Sequence, residues 1–292
     1  MNILSFDIEE WYCEKEFWGN VPQKIKEFDR YLDEILDLLE ERAIKATFFC
    51  VGGMAIEFPE VIKRIKVRGH EIGCHSYYHR WLNTMSRDDV IKDTRMAIDA
   101  IEQCIGEKVI SYRAPAFSIG KNNSWVFNVL YECGIRRDAS VFPAARDFGG
   151  FAEFGQKRPT MISIGKAQIK EFPICTTSIL GKEFAYTGGG YFRFFPLAYV
   201  KKQMDRSEYN MIYFHISDLV TEFDGVLSKK DYETYFHEKG SLKNRYIRYF
   251  KSNIGIHGAF KKLKSIIEEK DFINLEQADK MINWDGCKTL KL

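Results

Sequence analysis

The chain has 292 residues, 45% of them hydrophobic and 15% aromatic, enough for one large α/β domain or two small ones with a substantial core. Its formal net charge is +2, which gives no global electrostatic case for nucleic acid as a partner. Seven scattered cysteines with no CxxC pair exclude a disulfide framework and a cysteine zinc site, and point to reduced, mostly buried thiols.

The opening MNILSFDIEEWY is too short and too acidic for a secretory signal. No apolar run reaches the roughly 18 residues that a membrane-crossing helix needs. The expectation is a cytoplasmic protein of one domain over 1–292. A basic extension or insertion lies around 220–265, where residues 239–264 hold eight Lys/Arg and no Asp/Glu.

The first run, NILSFDI (2–8), is apolar and breaks into acidic residues, as a buried strand does. Ile25, Phe28, Leu32, Ile35 and Leu39 then recur at spacings of three and four, one apolar face of a helix over 23–42. ATFFCVG (46–52) reads as a second strand stopped by Gly52 and Gly53. Pro59 suits the first turn of a helix to Arg68, with Gly69 at its end. HEIGCH (70–75) is a third strand.

Ser86, with Asp89 three residues on, predicts the N-cap of a helix that Gly106 closes. VISYRAP (109–115) is a fourth strand, Asn123 to Cys133 a helix, and 135–139 a short strand. Residues 143–168 read as a long loop with a hairpin, KEFPI (170–174) as a strand, and Pro196 as the start of a helix to Ser207. MIYFHI (211–216) is a late, strongly apolar strand. A helix around Phe260–Lys270 and a final strand FINL (272–275) follow. About seven strand–helix repeats favour a parallel sheet with helices outside, in a closed or partly closed βα barrel. No Gly-rich phosphate fingerprint follows the first strand, so a dinucleotide fold has no support.

In such barrels chemistry gathers where the strands end. Here those ends carry Asp7, Glu9 and Glu10, then His75 with His79 beyond it, then Arg113, then His215. Each has a plainer reading: a solvated acidic loop, a surface histidine pair, an ordinary ion-pair arginine, a core histidine. What sets them apart is that all follow one positional rule. His70 opens its strand at the opposite end and reads as structural. His237 and His257 fall in the basic region and read as surface residues. Cys74 should point into packing.

Two histidines and a carboxylate satisfy a catalytic zinc-type site, which needs about three N/O ligands and an open position for water. A second carboxylate beside it can serve as general base, and an arginine next to that carboxylate favours its charged form. A histidine across the site can protonate a leaving amine. Backbone N–H groups of the Ala114–Phe117 turn can hold an oxyanion. Together these are the means of hydrolysing an amide or ester.

SFDIEEWY at the start, HSYYH at 75–79, RAPAFS at 113–118 and the late strand ending in His215 resemble the NodB-type polysaccharide deacetylases, carbohydrate esterase family four. The opening resembles the branch whose first motif reads FD-x-E-[DE]-W, found with exopolysaccharide and lipopolysaccharide biosynthesis. TFFCVG, GHEIGCHSYYH, EFPI and GGGYFRFFP (188–196) also resemble that branch. The resemblance implies a distorted (β/α)7 barrel related to the TIM barrel. It implies a hydrolase acting on C–N bonds other than peptide bonds, removing an N-acetyl or O-acetyl group from a sugar with one divalent metal. Zinc stands first among candidates that include manganese, cobalt, iron and nickel. By position, His75 and His79 would bind the metal, Asp7 would be the base with Arg113 as its partner, and His215 would be the acid.

Two departures stand out. The wider family has a second aspartate where this chain has Ile8. Alternation along an extended segment puts Glu9 on the side of Asp7 and Glu10 on the other, so Glu9 is the expected third ligand. The close branch has His-Pro-Trp-Glu where this chain has His215-Ile216-Ser217-Asp218, and either Asp138 or Asp218 can be the partner of His215. Phe117, Tyr191 and Arg193 are expected to bind substrate, the last two after a Gly188–Gly190 run that reads equally as a plain turn.

The expected substrate is an acetamido sugar, nucleotide-linked, lipid-linked or oligosaccharide. The basic, aromatic stretch 239–264 can approach phosphates or an anionic membrane surface, or form a solvated helix face. The oligomeric state is not readable. Two alternatives stay open: hydrolysis of another C–N bond, in a cyclic amide or ureide, on the same barrel, and a metal-free carbohydrate-binding relative.

Overall fold

Every side chain from Ile3 to Ile8 is buried, so the first strand is covered on both faces, as in a parallel sheet wrapped by helices. Its period of two separates the faces. Ile3 packs with Phe49, Met211 and Tyr213, whereas Leu4, Phe6 and Ile8 join Phe48, Ile212 and Phe214 against the surrounding helices. Inner and outer layers therefore alternate residue by residue, and Asp7 falls on the inner side with Ile3.

In this computed structural model the described residues are 1–18, 21–146, 149–220, 225–236 and 238–292. The strands are β1 (Asn2–Ile8), β2 (Thr47–Cys50), β3 (Glu71–Cys74), β4 (Ser111–Tyr112), β5 (Arg137–Asp138), β6 (Thr160–Ile164), β7 (Ala167–Glu171), β8 (Thr176–Ile179), β9 (Lys182–Ala185), β10 (Asn210–His215) and β11 (Lys288–Lys291). The main sheet runs β10-β1-β2-β3-β4-β5-β7-β6-β11. Pairing is parallel from β10 through β7, and antiparallel between β7 and β6. Beyond β7, the Cys175 N–H donates to the Met211 carbonyl at 3.4 Å, bringing the seventh parallel strand back to β10. This is the distorted (β/α)7 barrel that the motifs imply, with β6 and β11 added outside it.

Gly73 shows why the barrel closes tightly here: a Cβ on it would sit 2.5 Å from the Phe49 ring, so glycine leaves that ring room in the interior. Ser86 caps the helix Arg87–Ile105 by accepting from Asp89 N, and Gly106 ends it with φ 73°. The seven cysteines are free thiols, and Cys74 lies in the core. His70, at the opposite end from Asp7, is buried and accepts from Ala46 N through Nδ1. His257 is exposed, and His237 lies outside the described residues. Among the described residues, no helix is long and apolar enough to cross a membrane.

Several expected elements differ. The fourth strand is paired only at Ser111–Tyr112, because Ala114 and Pro115 turn out of the sheet. FINL is not a strand: only Ile273 bridges to Ile3, and Asn274 caps the helix Leu275–Met281 with Gln277 as its reciprocal partner. Leu275 N and Glu276 N donate to Thr47 and Glu71, so this helix plugs the end of the barrel away from Asp7. The helix Gly52–Glu57, the hairpin β8–β9 and the edge strand β11 were not expected. The helix predicted around Phe260 begins earlier, at Ile256, behind a second helix Leu242–Asn253.

Candidate active site

The strand ends converge. Glu9 Oε2 lies 3.2 Å from His75 Nε2 and 2.6 Å from His79 Nε2. The three residues can offer ligand atoms that all lie within 4.8 Å of one another. The turn that does this is unusual. Ser76 and His79 adopt left-handed backbone, with φ of 60° and 55°, a costly conformation for residues with a Cβ. Asp93, from the helix behind, accepts from Tyr77 N and Tyr78 N and holds the turn in place.

The donors suit a cation. His75 Nδ1 sits 2.7 Å from the Arg113 carbonyl, which can only accept, so that bond places the ring proton on Nδ1. The neutral tautomer it selects presents a lone pair at Nε2, facing a Glu9 oxygen. Two acceptors at that separation call for a cation between them or an added ring proton. Orientation of a ligating imidazole by a carbonyl is the usual outer arrangement of a metal site. Burial alone would raise the Glu9 carboxyl, but His79 and His215, with hydrogen bonds from His75 and His79, hold it well below the usual carboxylate range.

Beside the triad, Asp7 Oδ1 accepts from Arg113 Nη1 at 2.7 Å, with both side chains almost wholly buried. Arg113 Nε donates to the Ala139 carbonyl, and its guanidinium lies 4.3 Å over the Phe49 ring. The other Asp7 oxygen, Oδ2, is 3.6 Å from His215 Nε2. His215 Nε2 also stands 3.9 Å from Glu9 Oε1. Of the two aspartates weighed as its partner, Asp218 is the one that reaches: its Oδ2 is 3.4 Å from His215 Nδ1 and accepts from His215 N at 2.9 Å. Burial alone would lower the His215 pKa, but Glu9, Asp218 and Asp7 outweigh it and hold it well above the usual imidazole value.

Asp138 serves elsewhere. It accepts from Ser140 N and Oγ, and Ser140 Oγ in turn accepts from Ala114 N. Burial raises the Asp138 carboxyl above its usual range, against the lowering effect of its hydrogen bonds with Glu171 and Ser140. The Asp138–Ser140 link therefore fixes the turn after Arg113. Within that turn Phe117 N and Ser118 N donate to Ala114 and Pro115 carbonyls, which leaves Ala116 N–H as the amide not spent on the turn itself.

The expected substrate-contacting residues fall in different places. Phe117 is 4% exposed and packs edge-on against Tyr213 at 4.9 Å, beneath the site rather than open to it. Arg193 is buried, with Nη1 3.7 Å from Asp218 Oδ1 and Nη2 donating to the Lys251 carbonyl. Tyr191 is half-buried beside Phe184.

Two features had no clear sequence signal. Gly188 (φ 74°) packs so close to Tyr213 that a Cβ would meet its ring at 2.3 Å, and Gly189 N donates to Asp218 Oδ2 at 3.1 Å. The glycine run thus positions the partner of His215. Glu10 accepts from Ser217 N at 2.8 Å and Glu9 N at 3.3 Å, tying the β1 end to the turn after β10. Burial and the Glu9 charge push its carboxyl up to about 7. Only the alternation that set Glu10 apart from Glu9 hinted at a separate task.

Residues 22–137 match the polysaccharide deacetylase family, and residues 139–280 match a domain of unknown function (DUF3473). The first region holds His75, His79 and Arg113, the second holds His215 and Asp218, and Asp7 and Glu9 precede both. The chain is 29% identical over 107 residues to a peptidoglycan-N-acetylglucosamine deacetylase of Bacillus cereus, 37% of this chain and 39% of that protein. It is 35% identical over 86 residues to a chitooligosaccharide deacetylase of Sinorhizobium fredii, 29% of this chain and 40% of that one. The matches thus span about two fifths of these relatives. In fold, a crystal structure of a protein from Mycobacterium smegmatis regarded as a polysaccharide deacetylase superposes with a TM-score of 0.63. It has 17% identity and covers 99% of this chain and 92% of that one.

Proposed function

We propose that this chain, whose polysaccharide deacetylase region supplies two histidines and an arginine to the site, is a metal-dependent hydrolase that removes an acetyl group from a sugar. The observation that carries this reading is the convergence of Glu9, His75 and His79 within 4.8 Å, next to the Asp7–Arg113 pair and His215. One carboxylate and two imidazoles suit zinc, with manganese, cobalt, iron and nickel as competitors. Such an ion supplies Lewis acidity towards a water and an acyl carbonyl.

The residues divide the remaining work. Arg113 occupies Asp7 Oδ1, so Oδ2 is the oxygen turned to the site, in position to take a proton from water. His215 is held at Nδ1 by Asp218, which leaves Nε2 to deliver a proton to the departing amine nitrogen. Ala116 N–H is the turn amide available to a developing oxyanion.

The relatives named for N-acetylglucosamine and chitooligosaccharide deacetylation support an acetamido sugar over an O-acetyl ester. The first motif supports a role in surface polysaccharide biosynthesis. The test is acetate release from N-acetylglucosamine oligomers by metal-loaded protein. Acetate released in step with free amine supports the reading. Ammonia or a ring-opened product from cyclic ureides, without acetate, would assign the alternative C–N hydrolysis. Sugar binding without turnover would make the chain a carbohydrate-binding relative.

A further inference from the structure

The helix Leu242–Asn253 turns its apolar side away from the protein. Leu242, Tyr246 and Phe250 recur every fourth residue on one face of the helix, with Ile254 at its C-cap, and the four are 60%, 48%, 66% and 49% exposed. Ile247, 42% exposed, widens the stripe. Phe194, 66% exposed, extends it, because the carbonyl of neighbouring Arg193 lies against Gly255. The inward side carries Ser252, which is buried, and Arg245, whose Nη1 donates to the Leu227 carbonyl.

Exposed lysines border the stripe. Lys243 and Lys251 lie on the same helix, and the whole segment 239–264 has eight cations and no acidic residue. A contiguous exposed apolar patch marks an interaction surface. The charge says what covers it. A two-fold contact with a second copy through this face would set like charges against each other. An anionic bilayer takes both parts: aromatic and aliphatic side chains enter the headgroup boundary, while lysines reach the lipid phosphates along their alkyl stems.

We propose that this face docks the enzyme on an anionic membrane surface. The dock is coupled to the candidate site through one side chain. Arg193 donates to the Lys251 carbonyl at 3.1 Å and stands 3.7 Å from Asp218, the partner of His215. Docking therefore holds the site close to the lipid. That consequence for catalysis rests on the deacetylase reading, whereas the docking itself does not.

The test is flotation of the full-length protein with vesicles of phosphatidylcholine, alone or with about 30% phosphatidylglycerol. Binding to the anionic vesicles and not the neutral ones is expected. It should weaken at least tenfold in the Leu242→Asn/Phe250→Asn double variant, and similarly when NaCl rises from about 0.1 M to about 0.5 M. Circular dichroism and acetate release from a soluble sugar should be unchanged in that variant. Equal binding to both vesicle types, no binding, or binding indifferent to the double substitution would overturn the proposal. So would a dimer that the substitutions dissociate. Absence of acetate release in the wild type, with vesicle binding intact, would count against the deacetylase reading alone.

Discussion

His75 Nδ1 donates to the main-chain carbonyl of Arg113 at 2.7 Å, so one ring of the candidate metal site and the partner of the candidate base are set by the same short segment.

That bond makes His75 a fixed donor, and the triad should bind a divalent ion accordingly. His79→Ala and Glu9→Ala should each weaken zinc affinity by about 100-fold or more, whereas Ser140→Ala, which acts only on the Arg113 turn, should change it by less than about 10-fold. Competition with a chelator of known affinity measures this. Full affinity retained in His79→Ala would remove that residue from the site.

Asp218 takes the Nδ1 side of His215 and is itself held by Gly189 N. Asp218→Asn should lower kcat/KM by about 10²–10⁴-fold, the usual scale for a disrupted acid–base group. Metal content should stay at that of the wild type. Wild-type turnover in this variant would return the partner role to another group.

Gly188→Ala forces a Cβ onto the Tyr213 ring at 2.3 Å in a left-handed backbone (φ 74°). A loss of about 2–4 kcal/mol in urea unfolding is expected. Activity should fall in the fraction that stays folded, because Gly189 N moves from Asp218. A stability change below about 0.5 kcal/mol would show that the loop relaxes freely.

His70 gives a pH dependence away from the site. Burial, with Lys45 and Arg68 nearby, lowers its pKa from 6.5 to about 4. Between those values the unfolded chain binds the extra proton, so stability is fully present above pH 6.5 and is lost as pH falls towards 4. The shift corresponds to about 3 kcal/mol. His70→Gln should flatten the wild-type loss between neutral and acid pH by about that amount, measured by denaturant melts. Parallel pH profiles for the two proteins would show that His70 is not the group responsible.

Strand ends were the most readable part of the sequence. Asp7, Glu9, His75, Arg113 and His215 sit where apolar runs stop, and a parallel barrel brings such positions to one rim. The loops were less readable. Whether Asp138 or Asp218 meets His215 depends on backbone turns with no periodic signal, and the structure turns Asp138 towards Ser140 instead. Arg193 follows a glycine run that suits a sugar pocket, yet its guanidinium lies against Asp218 and the Lys251 carbonyl. FINL failed as a strand because an Asn–Gln capping box at 274 and 277 overrides the apolar pattern of Phe272, Ile273 and Leu275.

We propose that Glu9, rather than Asp7 or Glu10, completes the metal site with His75 and His79. Anomalous diffraction from crystals grown with zinc tests it directly. One peak about 2.0–2.2 Å from a Glu9 carboxylate oxygen, His75 Nε2 and His79 Nε2 is predicted. A peak ligated by Asp7 or Glu10 in place of Glu9, or no peak at these residues, would contradict the account.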